Sequence, residues 1–145
     1  MHKISEIIRC ENICKTFISS KGLFENSLEI TALENVNLSI NENEIVGLVG
    51  ESGSGKSTLA KIILKLLEPD SGKLFFQDKD ITHLTEKDLG FFRKKIQVIF
   101  QDPMASLNPR RRVLDSVLEP ILLHSTSNIY VAIEKSENIL LKLGL

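Results

Sequence analysis

Ile45-Val46-Gly47-Leu48-Val49-Gly50-Glu51-Ser52-Gly53-Ser54-Gly55-Lys56-Ser57-Thr58 runs an apolar stretch straight into a glycine-rich loop. From Gly50 to Ser57 it meets the phosphate-binding pattern G-x-x-x-x-G-K-[ST] at every fixed position. A loop that wraps a triphosphate must turn its own N–H groups inward, which needs backbone angles and a close approach that a Cβ would block. Gly50, Gly53 and Gly55, with Glu51, Ser52 and Ser54 between them, are therefore the candidate cradle. Lys56 is the candidate point charge for the β- and γ-phosphates, and the Ser57 hydroxyl a candidate Mg²⁺ ligand. Thr58 falls in the first turn of a helix whose positive dipole end faces the same phosphates. Together these residues predict binding of a nucleoside triphosphate.

Outward from the loop, Ile45 to Val49 is apolar on both faces, as a strand buried in a parallel sheet requires. Upstream, apolar and polar residues alternate over Ile7 to Phe17 and Ile30 to Ile40, which predicts two strands with a surface loop between them. Downstream, Leu59, Ile62, Ile63, Leu66 and Leu67 mark the core stripe of a helix from Lys56 to Leu67, stopped at Pro69-Asp70-Ser71-Gly72. Lys73 to Gln77 reads as a short strand. Thr85 reads as an N-cap for a helix from Glu86 to Lys95, acidic early and basic late. Ile96 to Phe100 reads as a further core strand ending at Gln101-Asp102-Pro103. Beyond the turn at Asn108-Pro109, a helix from Val113 is expected to be interrupted at Pro120. A last helix from Tyr130 to Leu143 is capped by Gly144. The order of elements predicts an α/β fold with helices covering a sheet.

The remaining composition excludes more than it selects. A chain of 145 residues suits one domain, and 42% hydrophobic with 26% charged residues suits an ordinary globular protein. A net charge of -1 gives no overall pull toward nucleic acid. The basic clusters Arg93-Lys94-Lys95 and Arg110-Arg111-Arg112 read as solvated faces. No apolar run approaches the length of about 20 residues that a membrane helix needs, and the N-terminus lacks a signal-peptide core, so a cytosolic protein able to dock on a membrane partner is expected. Cys10 and Cys14, four apart in a strand, would lie about 13 Å from one another. That is too far for a disulfide, and both are expected reduced.

Three stretches carry a resemblance: Gly50 to Thr58, Leu66-Leu67-Glu68-Pro69-Asp70-Ser71-Gly72, and Ile96 to Pro103. Taken together they resemble the ATP-binding subunits of ABC transporters. Gln101-Asp102-Pro103-Met104-Ala105-Ser106-Leu107-Asn108-Pro109 is similar to the Q-loop of the branch that imports oligopeptides, dipeptides and nickel. The resemblance implies ATP and Mg²⁺ as ligands, with a P-loop NTPase core of mixed sheet plus an antiparallel β subdomain. It implies that Gln101 approaches Mg²⁺ and the γ-phosphate, a role that suits a neutral amide. It implies too that Phe17 stacks on adenine, as an aromatic face can. The implied partners are transmembrane permease subunits and a second ATP-binding subunit on the inner face of the membrane, with no nucleic acid.

The sequence contains no L-S-G-G-Q-like signature, no four-residue apolar strand ending in Asp-Glu, and no later switch histidine. In the family these lie C-terminal to the matching region. The expectation is a partial domain: nucleotide-binding core and β subdomain over about 1–100, then the Q-loop and the start of a truncated helical subdomain over about 101–145. An alternative takes Val98 to Asp102 as a degenerate Walker B strand with Asp102 holding Mg²⁺. Two other functions stay open, a non-catalytic nucleotide-binding remnant and a small stand-alone P-loop NTPase or kinase.

Overall fold

The computed structural model describes residues 5–19, 28–102, 107–125 and 128–145. They fall into two compact units, Met1–Ile96 and Gln97–Leu145. The first is built on two long strands, β1 (Glu6–Ser19) and β2 (Leu28–Asn41), paired antiparallel. Helix α1 (Lys56–Ile63) follows, then β3 (Ser71–Phe76), β4 (Lys79–Asp80) and α2 (Gly90–Lys95). The sheet order is β2-β1-β3-β4, every neighbour antiparallel. Alternation in β1 and β3 sends Ile8, Cys10, Leu74 and Phe76 to one face, and an irregularity at Asn12, whose φ is +49, shifts the register so that Ile13 joins them; there they meet Leu59 and Ile62 of α1 and Phe92 of α2. Phe92 stands edge-on to Phe76 with ring centroids 5.1 Å apart. This core fixes α1, and therefore the loop preceding it, against β2.

Helix α1 ends four residues earlier than its apolar stripe suggests. Lys65 takes φ +55, its N–H donates to Ile62 O, and the Leu66 N–H reaches back to Lys61 O at 2.8 Å. That is a Schellman closure with lysine where glycine is usual. The Lys65 ammonium is buried and donates to Thr82 O and Glu68 Oε1, both at 2.5 Å. Arg93 of α2 donates to the helix-end carbonyls of Leu64 and Lys65.

Two expected strands do not form. Residues 45–49 and 96–100 have no ladder partner among the described residues, and Ile45, Val49 and Ile99 are 99%, 94% and 93% exposed. A strand is stable only through neighbours that take up its N–H and C=O groups, and an apolar run reports the burial it needs, not the partner that supplies it. Thr85 is likewise not an N-cap. Its hydroxyl donates to Asp88, a turn occupies the intervening residues, and α2 begins at Gly90.

The second unit contains α3 (Val113–His124) and α4 (Ile129–Lys142), which pack on each other. Pro120 does not interrupt α3. It lies on the exposed side, while Leu114, Val117, Leu118, Ile121 and Leu122 continue half-buried at helical spacing and hold the helix through the lost N–H bond. Asn128 caps α4 by accepting the N–H groups of Tyr130 and Val131.

Candidate functional site

The glycine-rich loop closes against β2. Gly55 sits at φ +88 as the residue before α1, and a Cβ there would come 2.3 Å from Ala32 O and 2.8 Å from Leu33 Cδ2. Only glycine fits. At the other end of the loop, a Cβ on Gly50 would meet Ser54 Oγ at 2.8 Å. The Lys56 ammonium folds back over the loop and donates to Gly50 O at 2.7 Å, Glu51 O at 2.5 Å and Ser54 Oγ at 3.1 Å.

Beside the loop lies a hollow of about 390 Å³ walled by Ala32 and by residues Ser52 to Thr58. Lys56 is the one charged residue in that wall. No side chain caps the start of α1 and no acidic residue stands in its first turn. The leading N–H groups are thus free of a side-chain acceptor, and the dipole faces outward unopposed. Concave backbone donors, an uncapped helix and one ammonium group suit a polyanion. Among the described residues no group of three His, Cys, Asp or Glu is placed to hold a metal. A Mg²⁺ at this loop would take the Ser57 hydroxyl, phosphate oxygens and water, which matches its preference for few protein ligands.

Phe17 lies on β1, 42% exposed, and pairs with Ile30 of β2. Two residues along β2 stands Ala32, the wall of the hollow, so a single two-stranded ladder carries both the aromatic ring and the loop's seat. Sequence reading missed the ion pair beside Phe17, formed by Lys15 and Asp70. The Lys15 ammonium is 2.6 Å from Asp70 Oδ1, and the Thr16 N–H donates to Asp70 Oδ2 at 2.7 Å. These two donors hold the Asp70 carboxyl below the usual carboxylate range. Asp70 reads in the sequence as part of a helix stop, and no local signal ties it to residues so far upstream.

Gln101 and Asp102 are exposed and belong to the second unit. Pro103 to Ser106 of the expected Q-loop lie outside the described residues. Within the first unit Ala32 and Ser52 to Thr58 line one hollow, and Phe17 stands on the adjoining ladder opposite Ile30 without lining that hollow.

The ABC transporter family model matches residues 33–144. Over 141 residues the chain is 37% identical to the oligopeptide transport ATP-binding protein AppF of Bacillus subtilis, covering 96% of this chain and 43% of that one. Over 119 residues it is 43% identical to the oligopeptide transport ATP-binding protein OppF of Streptococcus mutans, covering 82% of this chain and 37% of that one. A solved dimeric ATP-binding cassette in a post-hydrolysis state, bound to ADP and Pi, matches with a TM-score of 0.70 at 30% identity, over 90% of this chain and 54% of the other. The chain thus spans less than half the length of these two curated relatives.

Proposed function

The chain belongs to the ABC transporter family, and from that premise we propose that it is the nucleotide-holding part of an ATP-binding subunit driving import of oligopeptides or a related solute. The observation that carries this reading is the seating of Gly55 on Ala32 O, which presents an uncapped helix start and Lys56 to one hollow. Names of relatives at 37% and 43% identity support the solute class. In this reading the core and β subdomain extend to about residue 100, with the Q-loop and the start of the helical subdomain beyond.

The N–H groups at the start of α1 bind the phosphates, and Lys56 exchanges the carbonyls of Gly50 and Glu51 for phosphate oxygens. That replaces neutral dipoles with an anion, a stronger charge-assisted contact. Ser57 would hold Mg²⁺, and that ion would supply charge neutralisation at the phosphates when bound. Phe17 offers its exposed face to adenine. Hydrolysis belongs to the completed cassette, in which a second ATP-binding subunit and permease subunits take part; this chain by itself binds nucleotide without turnover. Its place is the cytoplasmic face of the membrane, held there by the permease. Among the described residues no helix is long and apolar enough to cross a bilayer.

Titration of the chain with a fluorescent ATP analogue and Mg²⁺ tests the reading, alongside phosphate release. Saturable binding that Lys56→Ala abolishes, with no phosphate release above that variant, is the expected result. Equal affinity in both proteins removes the loop as the site.

A further inference from the structure

We propose that Asp70 is a positioning residue for the base-binding side of the site: it tethers Lys15 away from the Phe17 ring and secures the strand end that carries the ring. The proposal rests on the reading of Phe17 as an adenine platform.

Pairing between β1 and β3 stops at Cys14 opposite Ser71, whereas pairing with β2 continues through Thr16, Phe17 and beyond. On its β3 side the next part of β1 meets Asp70, its one hydrogen-bonding partner there among the described residues. The Asp70 N–H donates to Cys14 O at 2.9 Å. Its carboxylate then reaches two residues further, accepting the Thr16 N–H at 2.7 Å as a β3 carbonyl would. The backbone is thereby held on both sides up to the residue before Phe17, which fixes the direction in which the ring leaves the strand.

The second oxygen acts on charge. Lys15 Nζ lies 2.6 Å from Asp70 Oδ1 and 5.8 Å from the Phe17 centroid, at the outer limit of a cation–π contact. Lys15 is mostly buried, its side chain 15% exposed, so the ammonium has few alternatives to these two neighbours. Released from Asp70, it moves onto the exposed ring face, the same face a base would cover. Asp70 therefore keeps the platform open as well as steady.

Isothermal titration with Mg·ATP and with Mg·tripolyphosphate separates the roles, because only ATP has a base. Asp70→Asn, an isosteric change at a half-exposed site, is expected to weaken ATP about fivefold and to leave tripolyphosphate unchanged. Adding Lys15→Met to Asp70→Asn is expected to return ATP to within about twofold of the parent, since the competing cation is gone. Equal weakening of both ligands by Asp70→Asn assigns it a general structural role and overturns the proposal. So does unchanged ATP affinity in Asp70→Asn while Phe17→Ala weakens ATP. A double variant as weak as Asp70→Asn overturns the tethering of Lys15. Unchanged ATP affinity in Phe17→Ala instead refutes the platform reading itself.

Discussion

The Lys56 ammonium lies 2.7 Å from the carbonyl oxygen of Gly50, the residue at the opposite end of its own loop. With Glu51 O at 2.5 Å it closes the loop into a ring held by one cation. Without that cation the carbonyls face solvent and the loop opens more often. Lys56→Ala is expected to raise the rate of cleavage after Glu51 by a glutamate-specific protease about fivefold in the nucleotide-free protein. An unchanged rate would mean that the ring does not restrain the loop.

Gly53 and Gly55 both have positive φ, at +83 and +88, but differ in their surroundings. Gly53→Ala meets nothing within 4 Å and is expected to cost about 1 kcal/mol of backbone strain. Gly55→Ala adds a clash with Ala32 O and is expected to cost about 3 kcal/mol and to abolish Mg·ATP binding. Urea unfolding and nucleotide titration of the two variants check the contrast, and equal losses would argue against the seat on β2.

Lys65 combines a left-handed backbone with a buried ammonium. Lys65→Met keeps the length of the side chain but strands Thr82 O and Glu68, with an expected loss of about 2 kcal/mol in urea unfolding. Lys65→Gly relieves the backbone yet is expected to remain less stable than the parent by about 1 kcal/mol, because the buried bonds are lost with the side chain. A stabilised Lys65→Gly protein would show that backbone strain outweighs the bonds.

Burial pushes the Cys10 thiol up to about 11 from an ordinary value near 9. The folded state favours the neutral thiol, so this contribution is complete below pH 9 and declines as the pH rises from 9 through 11, by at most about 3 kcal/mol. The parent protein is expected to lose more stability than Cys10→Ala over that interval, read as the difference in melting temperature at each pH. Parallel profiles would remove Cys10 as the cause.

Ile45, Val49 and Ile99 stand almost fully exposed. Strong binding of a hydrophobic dye is expected, with Val49→Ser reducing it while Mg·ATP affinity holds within about twofold. A sharply melting monomer that ignores the dye would contradict this exposure.

The glycine-rich loop was legible as a pattern because eight adjacent residues carry it, whereas the seat of Gly55 on Ala32 O is a contact that only the fold supplies. The long strands were legible from alternation alone. Residues 45–49 and 96–100 were not, since the same apolar pattern describes a paired strand and an exposed segment that has no ladder partner among the described residues. Lys65 hid the end of α1 because its left-handed turn is one that glycine normally signals. The pairing of Asp70 with Lys15 was invisible: it joins positions 55 apart, and only the folded sheet makes them adjacent.

Ile30, opposite Phe17, and Ala32, under the loop, are two positions apart on β2, a span of about 7 Å along the strand. The ladder is thus a ruler whose graduations are peptide units, and its increments come in steps of two because a single-residue slip would turn each side chain to the other face. Redesign of this site for a ligand with a longer or shorter bridge between ring and anion would begin by inserting or deleting a pair of residues in β2, with the loop left as it is.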